Sequence, residues 1–459
     1  MSCDKSIQTN EDEIIEDEEL EENEEDEIEE PFYDKLTEAE QEELETAIYE
    51  LLEEYLKDYI LKISKTEFHE ELVDDIAHIL FQNFIDIGIC QEGDYEDMQS
   101  FVQHYCQSWF MSYKDIQYTM RTIPHHKGNI HTEEFHMDAD LVKQTIRRKL
   151  AVVSEKDATN PSQRTPEWYK HRYNMLTASN LYQALGSEAQ RNRLIFEKCK
   201  PLEMGSAESK WISTEGSLHW GVKFEPLTVL VYEHMTGAKI GHYGCIVHTE
   251  HPFLGASPDG IVVNEESPLY GRLVEIKNIY NRDMDGIPSE AYWVQTQIQM
   301  QCCELDVCDF VETRFKEYEG EQAFVEEDDE DRMRGVILNF VPRDGLSNIP
   351  LYRYMPLDEP VANYAAWIEY TKVEVAETHI LFKTIYWYLD EICMTTVLRN
   401  DAWFRAALPL IRDTWQTIET ERITGYQHRM SKKRNATDVL VIEKTVPKTV
   451  CLIKLPESE

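Results

Sequence analysis

Between residues 166 and 355 the apolar pattern switches repeatedly between the period of a helix and the period of a strand, and nothing else restricts the fold as much. Helices are expected at about 166–171, 177–185, 218–236 and 289–305. Strands are expected near 240–248, 259–264, 271–279, 308–318, 334–341 and 351–355. Pro166 suits the first turn of one helix, and Thr177 or Ser179 can cap the next. Strands interleaved with helices make an α/β unit around a mixed central sheet. Six consecutive acids, Glu326 to Asp331, mark an exposed acidic loop over 319–332.

A chain of 459 residues exceeds one simple core, so two or three units are expected. Residues 1–32 read as an acidic tail, too poor in apolar groups to offset the entropy of ordering. Residues 33–159 read as a helical N-terminal domain, with Ile48, Leu51, Leu52, Tyr55, Leu56 and Tyr59 on one amphipathic face. Asn160-Pro161-Ser162 reads as a linker into a core over 160–356. Residues 357–427 read as a helical C-terminal region whose aromatics pack helices, followed by a tail over 428–459.

The formal charge of −43 argues against nucleic acid as a partner until its distribution is considered. Residues 1–30 carry sixteen acidic residues and one lysine, whereas residues 160–315 carry twenty acidic and fourteen basic ones. Binding follows local potential, so a basic surface remains open to the core. Arg147-Arg148-Lys149 reads as a solvated helix end before it reads as a phosphate contact. Ten cysteines lack metal-ligand spacing, and Cys302, Cys303 and Cys308 follow a helical pattern that makes them buried thiols. No secretory signal and no apolar run of membrane length is seen, so a reducing intracellular compartment and no membrane partner are expected. Arg429 to Arg434 reads as an exposed basic loop before a nuclear-import patch.

Asp259 lies in the turn Ser257-Pro258-Asp259-Gly260, and Glu275-Ile276-Lys277 follows on a strand. Side chains alternate on a strand, so Glu275 and Lys277 share a face while Val274 and Ile276 enter the core. Each motif alone has an ordinary explanation, a favourable turn or a solvated charge pair. Together they can hold a divalent metal against a phosphodiester and steer the attacking water. Glu225, in Gly221-Val222-Lys223-Phe224-Glu225-Pro226, would in isolation be an exposed helix glutamate. Gln295 and Gln299 share one helical face, as do Gln297 and Gln301. Such a face either orients water and phosphate or is merely polar. Arg172 and Ser179, near a helix start, make a terminal-phosphate pocket plausible on chemical grounds.

The ordered set Trp168-x3-Arg172, Thr177-Ala178-Ser179, Gly221-x2-Phe224-Glu225-Pro226, Ser257-Pro258-Asp259-Gly260, Glu275-x-Lys277 and Gln295-x-Gln297 resembles the YqaJ/lambda-exonuclease family of restriction-endonuclease-like nucleases. The likeness covers about 160–315. Long versions with an extra helical N-terminal region resemble those of large DNA viruses. The four-cysteine iron–sulfur exonucleases with the same core are set aside, because the cysteines here lack their spacing.

The resemblance implies a restriction-endonuclease-like α/β core, a mixed central sheet flanked by helices, with helical regions before and after it. It implies that Asp259, Glu275 and the Ile276 carbonyl ligate Mg²⁺ or Mn²⁺, with Glu225 completing a second position. Lys277 would orient or help deprotonate the water, Gln297 or, second, Gln295 would support it, and Arg172 with Ser179 would hold a 5′-phosphate. A metal-dependent, 5′-to-3′ exodeoxyribonuclease acting on duplex ends in viral recombination follows, sited in the host cytoplasm or nucleus. Its partners would be DNA, a single-strand annealing or replication protein, and further copies of itself. The alternative is a non-catalytic DNA-end-binding or scaffold module. The acidic tail serves as a solubilising or partner-binding segment before it serves as a DNA mimic.

Overall fold

The computed structural model describes residues 36–65, 67–86, 88–112, 139–162, 165–202, 217–344 and 349–430. The acidic segment 1–32 and the basic residues Lys432 to Arg434 lie outside the described residues. The N-terminal part contributes α1 (Glu38–Asp58), α2 (Phe68–Asp86), α3 (Tyr95–Ser112) and α4 (Ala139–Ala158). Next come α5 (Pro166–Tyr173), β1 (Leu176–Thr177), α6 (Ala178–Leu185), α7 (Glu188–Cys199) and α8 (Ser217–Thr236). Short strands β2 (Ile240–Gly241), β3 (Ile246–Val247), β4 (Leu254–Ala256) and β5 (Gly260–Val262) lead into β6 (Leu273–Asn278), α9 (Glu290–Cys303) and β7 (Val307–Glu317). The chain ends its ordered path with α10 (Glu321–Val325), β8 (Arg334–Pro342), β9 (Leu351–Tyr354), α11 (Tyr364–Glu374), β10 (His379–Leu398) and α12 (Asp401–Thr424).

Seven strands form one mixed sheet in the order β2-β5-β6-β7-β10-β8-β9, in which β6 and β7 run parallel and every other neighbour is antiparallel. A small sheet, β1-β4-β3, stands beside it. The expected α/β architecture with a mixed sheet and flanking helices is present. The strand expected over 240–248 divides between the two sheets, as β2 and β3. Helix α7 was not anticipated, although Ser187 and Gln190 form a reciprocal capping box at its start.

The helical reading of 361–426 needs correction. Residues 379–398 form the longest strand in the sheet, paired to β7 on one side and β8 on the other. The stretch is dense in β-branched and aromatic side chains, which favour a pleated surface. Apolar side chains stand on both faces: Ile385 and Trp387 pack towards α8, while the partly buried Leu381 and Tyr386 pack with the cluster that includes Trp367 of α11. A strand with apolar residues on both faces loses the apolar–polar alternation by which strands are recognised.

The N-terminal helices are not a separate body either. Residues of α1, α2 and α3 share a core with α6, α9 and α12. The Trp403 indole donates to the Ile60 carbonyl at 3.0 Å and meets Trp293 of α9 edge-on at 5.1 Å. Helix α4 continues well past Arg147–Lys149, so that cluster is mid-helix rather than a helix end. Arg147 pairs with Glu265, and Lys149 pairs with Asp306 at 2.9 Å. Cys302, Cys303 and Cys308 are buried free thiols, as expected.

Candidate functional site

Strand β6 is held between β5 and β7, with Val274 and Ile276 in the core formed with Val262, Val311 and Tyr232. The opposite face carries Glu275 and Lys277 at the end of the strand. Glu275 is 1% exposed, and its Oε1 carries the Lys277 ammonium in an ion pair. Tyr292 lies under that ammonium, 4.8 Å from ring centroid to nitrogen. Gln295 donates to Oε1 of Glu275 at 2.5 Å, and Gln299 donates to Oε2 at 2.6 Å. A buried carboxylate is tolerated when paired and hydrogen-bonded in this way.

Asp259 arrives from the turn before β5. Its Oδ2 accepts from the Ile276 amide at 2.7 Å, which fixes the carboxylate beside β6. Gly260 is required by crowding, since a Cβ there would collide with the Ile240 side chain on β2. Burial pushes the Asp259 pKa well up, and the charges of Glu275 and Glu225 push it further, against the opposing pull of Lys277. Burial disfavours the Lys277 ammonium, but Glu275 and Asp259 outweigh it and hold the Lys277 pKa above the usual lysine range.

Glu225 is brought near Asp259 by the anchoring of α8 onto β6. Thr228 donates to Asn278 at 2.7 Å and shares a hydrogen bond with Thr313 at 2.9 Å, and Asn278 donates to the Gly221 carbonyl. Thr228 and Thr313 are fully buried, so this polar knot sets the position of the helix that carries Glu225. Sequence reasoning missed the knot, because a threonine one turn after Glu225 carries no signal of its own.

Gln297 does not join this group. Its Nε2 donates to the Leu398 carbonyl at 2.8 Å and its Oε1 accepts from the Asn400 amide at 2.7 Å, so it tethers the end of β10 to α9. The role expected of Gln297 is corrected accordingly: Gln295 and Gln299 face Glu275. The helical spacing that paired Gln295 with Gln299 was the available signal. Gln299 also donates to the Ser257 carbonyl at 3.3 Å, and its Oε1 is a buried acceptor without a partner among the described residues.

On the far side of Ser257 stands Arg172, whose Nη1 donates to the Ser257 hydroxyl at 3.2 Å. The guanidinium lies over the Trp168 ring at 4.7 Å. Helix α5 is started by Thr165, whose hydroxyl accepts from the Trp168 amide at 3.2 Å, with Pro166 in its first turn. Strand β1 pairs with β4, with Thr177 opposite Gly255, and Ser179 is exposed in the first turn of α6. Lys198 donates to the carbonyls of Arg172 and Met175, and burial with the nearby charges of Arg172 and Arg422 pulls its pKa down to about 8.

The donors Asp259, Glu275, Glu225 and the Ile276 carbonyl are all oxygens, the chemistry preferred by hard divalent cations. Among the described residues no three carboxylate, imidazole or thiolate groups close around one point. Both oxygens of Glu275 are engaged, by Lys277, Gln295 and Gln299, and the Lys277 ammonium supplies the positive charge there. The donor set and the raised Asp259 pKa fit a cation, provided that Lys277 yields its contact with Glu275.

Residues 167–306 match the model of the YqaJ-like viral recombinase domain. An uncharacterized protein of Acanthamoeba polyphaga mimivirus is 26% identical over 310 residues, covering 60% of this chain and 55% of that protein. The chain thus spans about half the length of this curated relative. Among solved structures, an alkaline exonuclease from Laribacter hongkongensis is 20% identical with a TM-score of 0.33, covering 56% of this chain and 94% of that one. The same enzyme in complex with dAMP is 24% identical with a TM-score of 0.27, covering 46% and 99%. Among the described residues no helix is long and apolar enough to cross a membrane. The matched segment 167–306 holds every residue of the site around Glu275.

Proposed function

We propose that the chain is a deoxyribonuclease that hydrolyses DNA phosphodiesters from a 5′ end in the presence of Mg²⁺ or Mn²⁺. The carrying observation is the convergence of Asp259, Glu275 and Lys277 at one end of β6, with Glu225 close enough to act on Asp259 electrostatically. Asp259, Glu275 and the Ile276 carbonyl would hold the cation, with Glu225 beside them. A divalent cation supplies Lewis-acid stabilisation of the phosphate and lowers the pKa of bound water. Lys277 is held protonated by its neighbours, so it serves as a charge that orients water and offsets negative charge on the phosphate rather than as a base. Gln295 and Gln299 hold the Glu275 carboxylate in place.

Arg172 and Ser179 would take the terminal 5′-phosphate, across Ser257 from the carboxylates. DNA ends are the substrate this reading requires; a single-strand annealing protein, a replication protein and further copies of the chain are proposed partners in viral DNA recombination. The purified chain, given Mg²⁺ and a 5′-phosphorylated duplex, is expected to release nucleotides, and Asp259→Ala is expected to stop it. Equal rates for that variant and the wild type would sink the assignment. Comparing 5′-phosphate with 5′-hydroxyl ends in wild type and Arg172→Ala tests polarity.

A non-catalytic DNA-end binder is the second reading. It is favoured by the Lys277 contact with Glu275, which neutralises the carboxylate without metal. Calorimetric titration with Mn²⁺ separates the two, since a binder has no reason to take up the ion at Asp259.

A further inference from the structure

A cleft of about 500 Å³ opens between the start of α8 and the strands β7, β8 and β10. Tyr280, which follows Lys277 just beyond the end of β6, and Trp220, which precedes Glu225 on α8, both line it. Its walls are aromatic and unusually open for side chains of that size. Tyr280 is 62% exposed and Phe382 is 65% exposed. Tyr280 and Trp220 meet edge-to-face with ring centroids 5.0 Å apart.

Phe382 owes its position to a β-bulge. Leu381 pairs with Phe340 and Lys383 with Asn339, which leaves Phe382 as the extra residue of β10. A bulge bends the strand and re-aims a side chain, and here it puts a phenyl ring at the rim instead of in the sheet. The cleft also holds two orphaned polar atoms. Asn339 is 3% exposed, yet its Oδ1 has no partner among the described residues, and the same is true of the Trp220 indole nitrogen. Buried polar atoms without partners cost stability, so they mark a place where a ligand can supply hydrogen bonds. Lys223, Lys316 and Lys383 line the cleft against one acid, Glu317, which accepts from Lys223 and Lys383, while Lys316 pairs at the rim with Asp390. In a chain of net charge −43 this lining is locally positive.

We propose that this cleft holds an unpaired segment of a DNA strand, with bases stacked on Tyr280 and Phe382. The half-exposed ammonium-bearing side chains of Lys316 and Lys383 lie beside the phosphates. Aromatic platforms combined with positive charge are how single strands are bound without strict sequence preference. The proposal rests on the nuclease reading above for its choice of nucleic acid.

The test uses the full chain, fluorescently labelled single-stranded oligo-dT and a matching abasic strand, with EDTA present so that no hydrolysis occurs. Wild type should prefer the base-bearing strand. Tyr280→Ala and Phe382→Ala should each weaken its binding by about fivefold or more, the lower end of base–aromatic stacking. Tyr280→Phe should keep the affinity, and none of the three should alter binding of the abasic strand. Both alanine changes remove exposed rings, so folding, checked by thermal melting, is expected to survive. Unchanged oligo-dT affinity in both alanine variants overturns the cleft, even where Asp259-dependent hydrolysis is intact. Ring-dependent binding without any Asp259-dependent hydrolysis would uphold the cleft and remove the nuclease reading.

Discussion

The side-chain amide of Gln299 donates to Oε2 of Glu275 at 2.6 Å, inside a region where Gln299 is fully buried and Glu275 nearly so. The same amide reaches the Ser257 carbonyl, so one glutamine joins the carboxylate of β6 to the loop that leads to Asp259. Replacing it by leucine leaves a buried charge with one donor fewer. A hydrogen bond to a charged group contributes about 1.5–3 kcal/mol. Gln299→Leu should therefore lower stability by roughly that amount in urea unfolding and slow hydrolysis as well.

Gln297 should behave differently from its neighbours. It binds backbone groups at Leu398 and Asn400, away from Glu275. Gln297→Ala should cost about 1–3 kcal/mol of stability through the groups left unpaired. At a temperature where the variant is folded, its hydrolysis rate should stay within about threefold of wild type, whereas Gln295→Ala, which touches Glu275, should lose more.

Lys277→Met removes the cation that pairs with Glu275 and lowers the Asp259 pKa. Loss of one such charge from a site that stabilises a developing negative charge costs roughly 10²-fold or more in rate. Single-turnover hydrolysis at saturating duplex isolates that loss from any change in DNA affinity. A rate equal to wild type would remove Lys277 from the chemistry.

His248 gives the fold an acid-sensitive point unrelated to catalysis. Its Nδ1 accepts from the amides of Glu250 and His251 at 3.1 and 3.2 Å, and its ring stacks on Phe404. Burial first, then the nearby His251, pulls its pKa down to about 4. The neutral ring is the form the fold accepts, so its contribution is complete above the unfolded value of about 6.5 and is lost as pH falls from there towards 4. His248→Gln should flatten the pH dependence of the melting temperature across that window.

Cys302, Cys303 and Cys308 should resist thiol reagents in the native state. Burial pushes all three pKa values up, that of Cys303 to about 12, and the thiolate is the reactive form. Mass-spectrometric mapping after alkylation should find these three modified only after unfolding.

Much of the α/β order was legible because its elements keep a single period. Helices α8 and α9 and strands β6 to β9 lie within a few residues of their expected bounds. The shared face of Glu275 and Lys277 followed from strand alternation alone. What was illegible depended on partners distant in sequence. Strand β10 hides its alternation because apolar side chains stand on both of its faces, and the choice among the glutamines of α9 rests on where Glu275 and Leu398 sit around that helix. The Thr228–Asn278–Thr313 knot joins three elements, none of which announces the others.

The strand order carries a consequence in time. Strand β7 is synthesised well before β10, and until residues 379–398 leave the ribosome one of its edges has no partner. Strands β8 and β9 meanwhile can pair only with each other. Such late, long-range pairing is slow and leaves edges open to other chains. The sheet that carries Glu275 is thus completed nearly last, and a chain halted at residue 356 would hold two unjoined pieces of it.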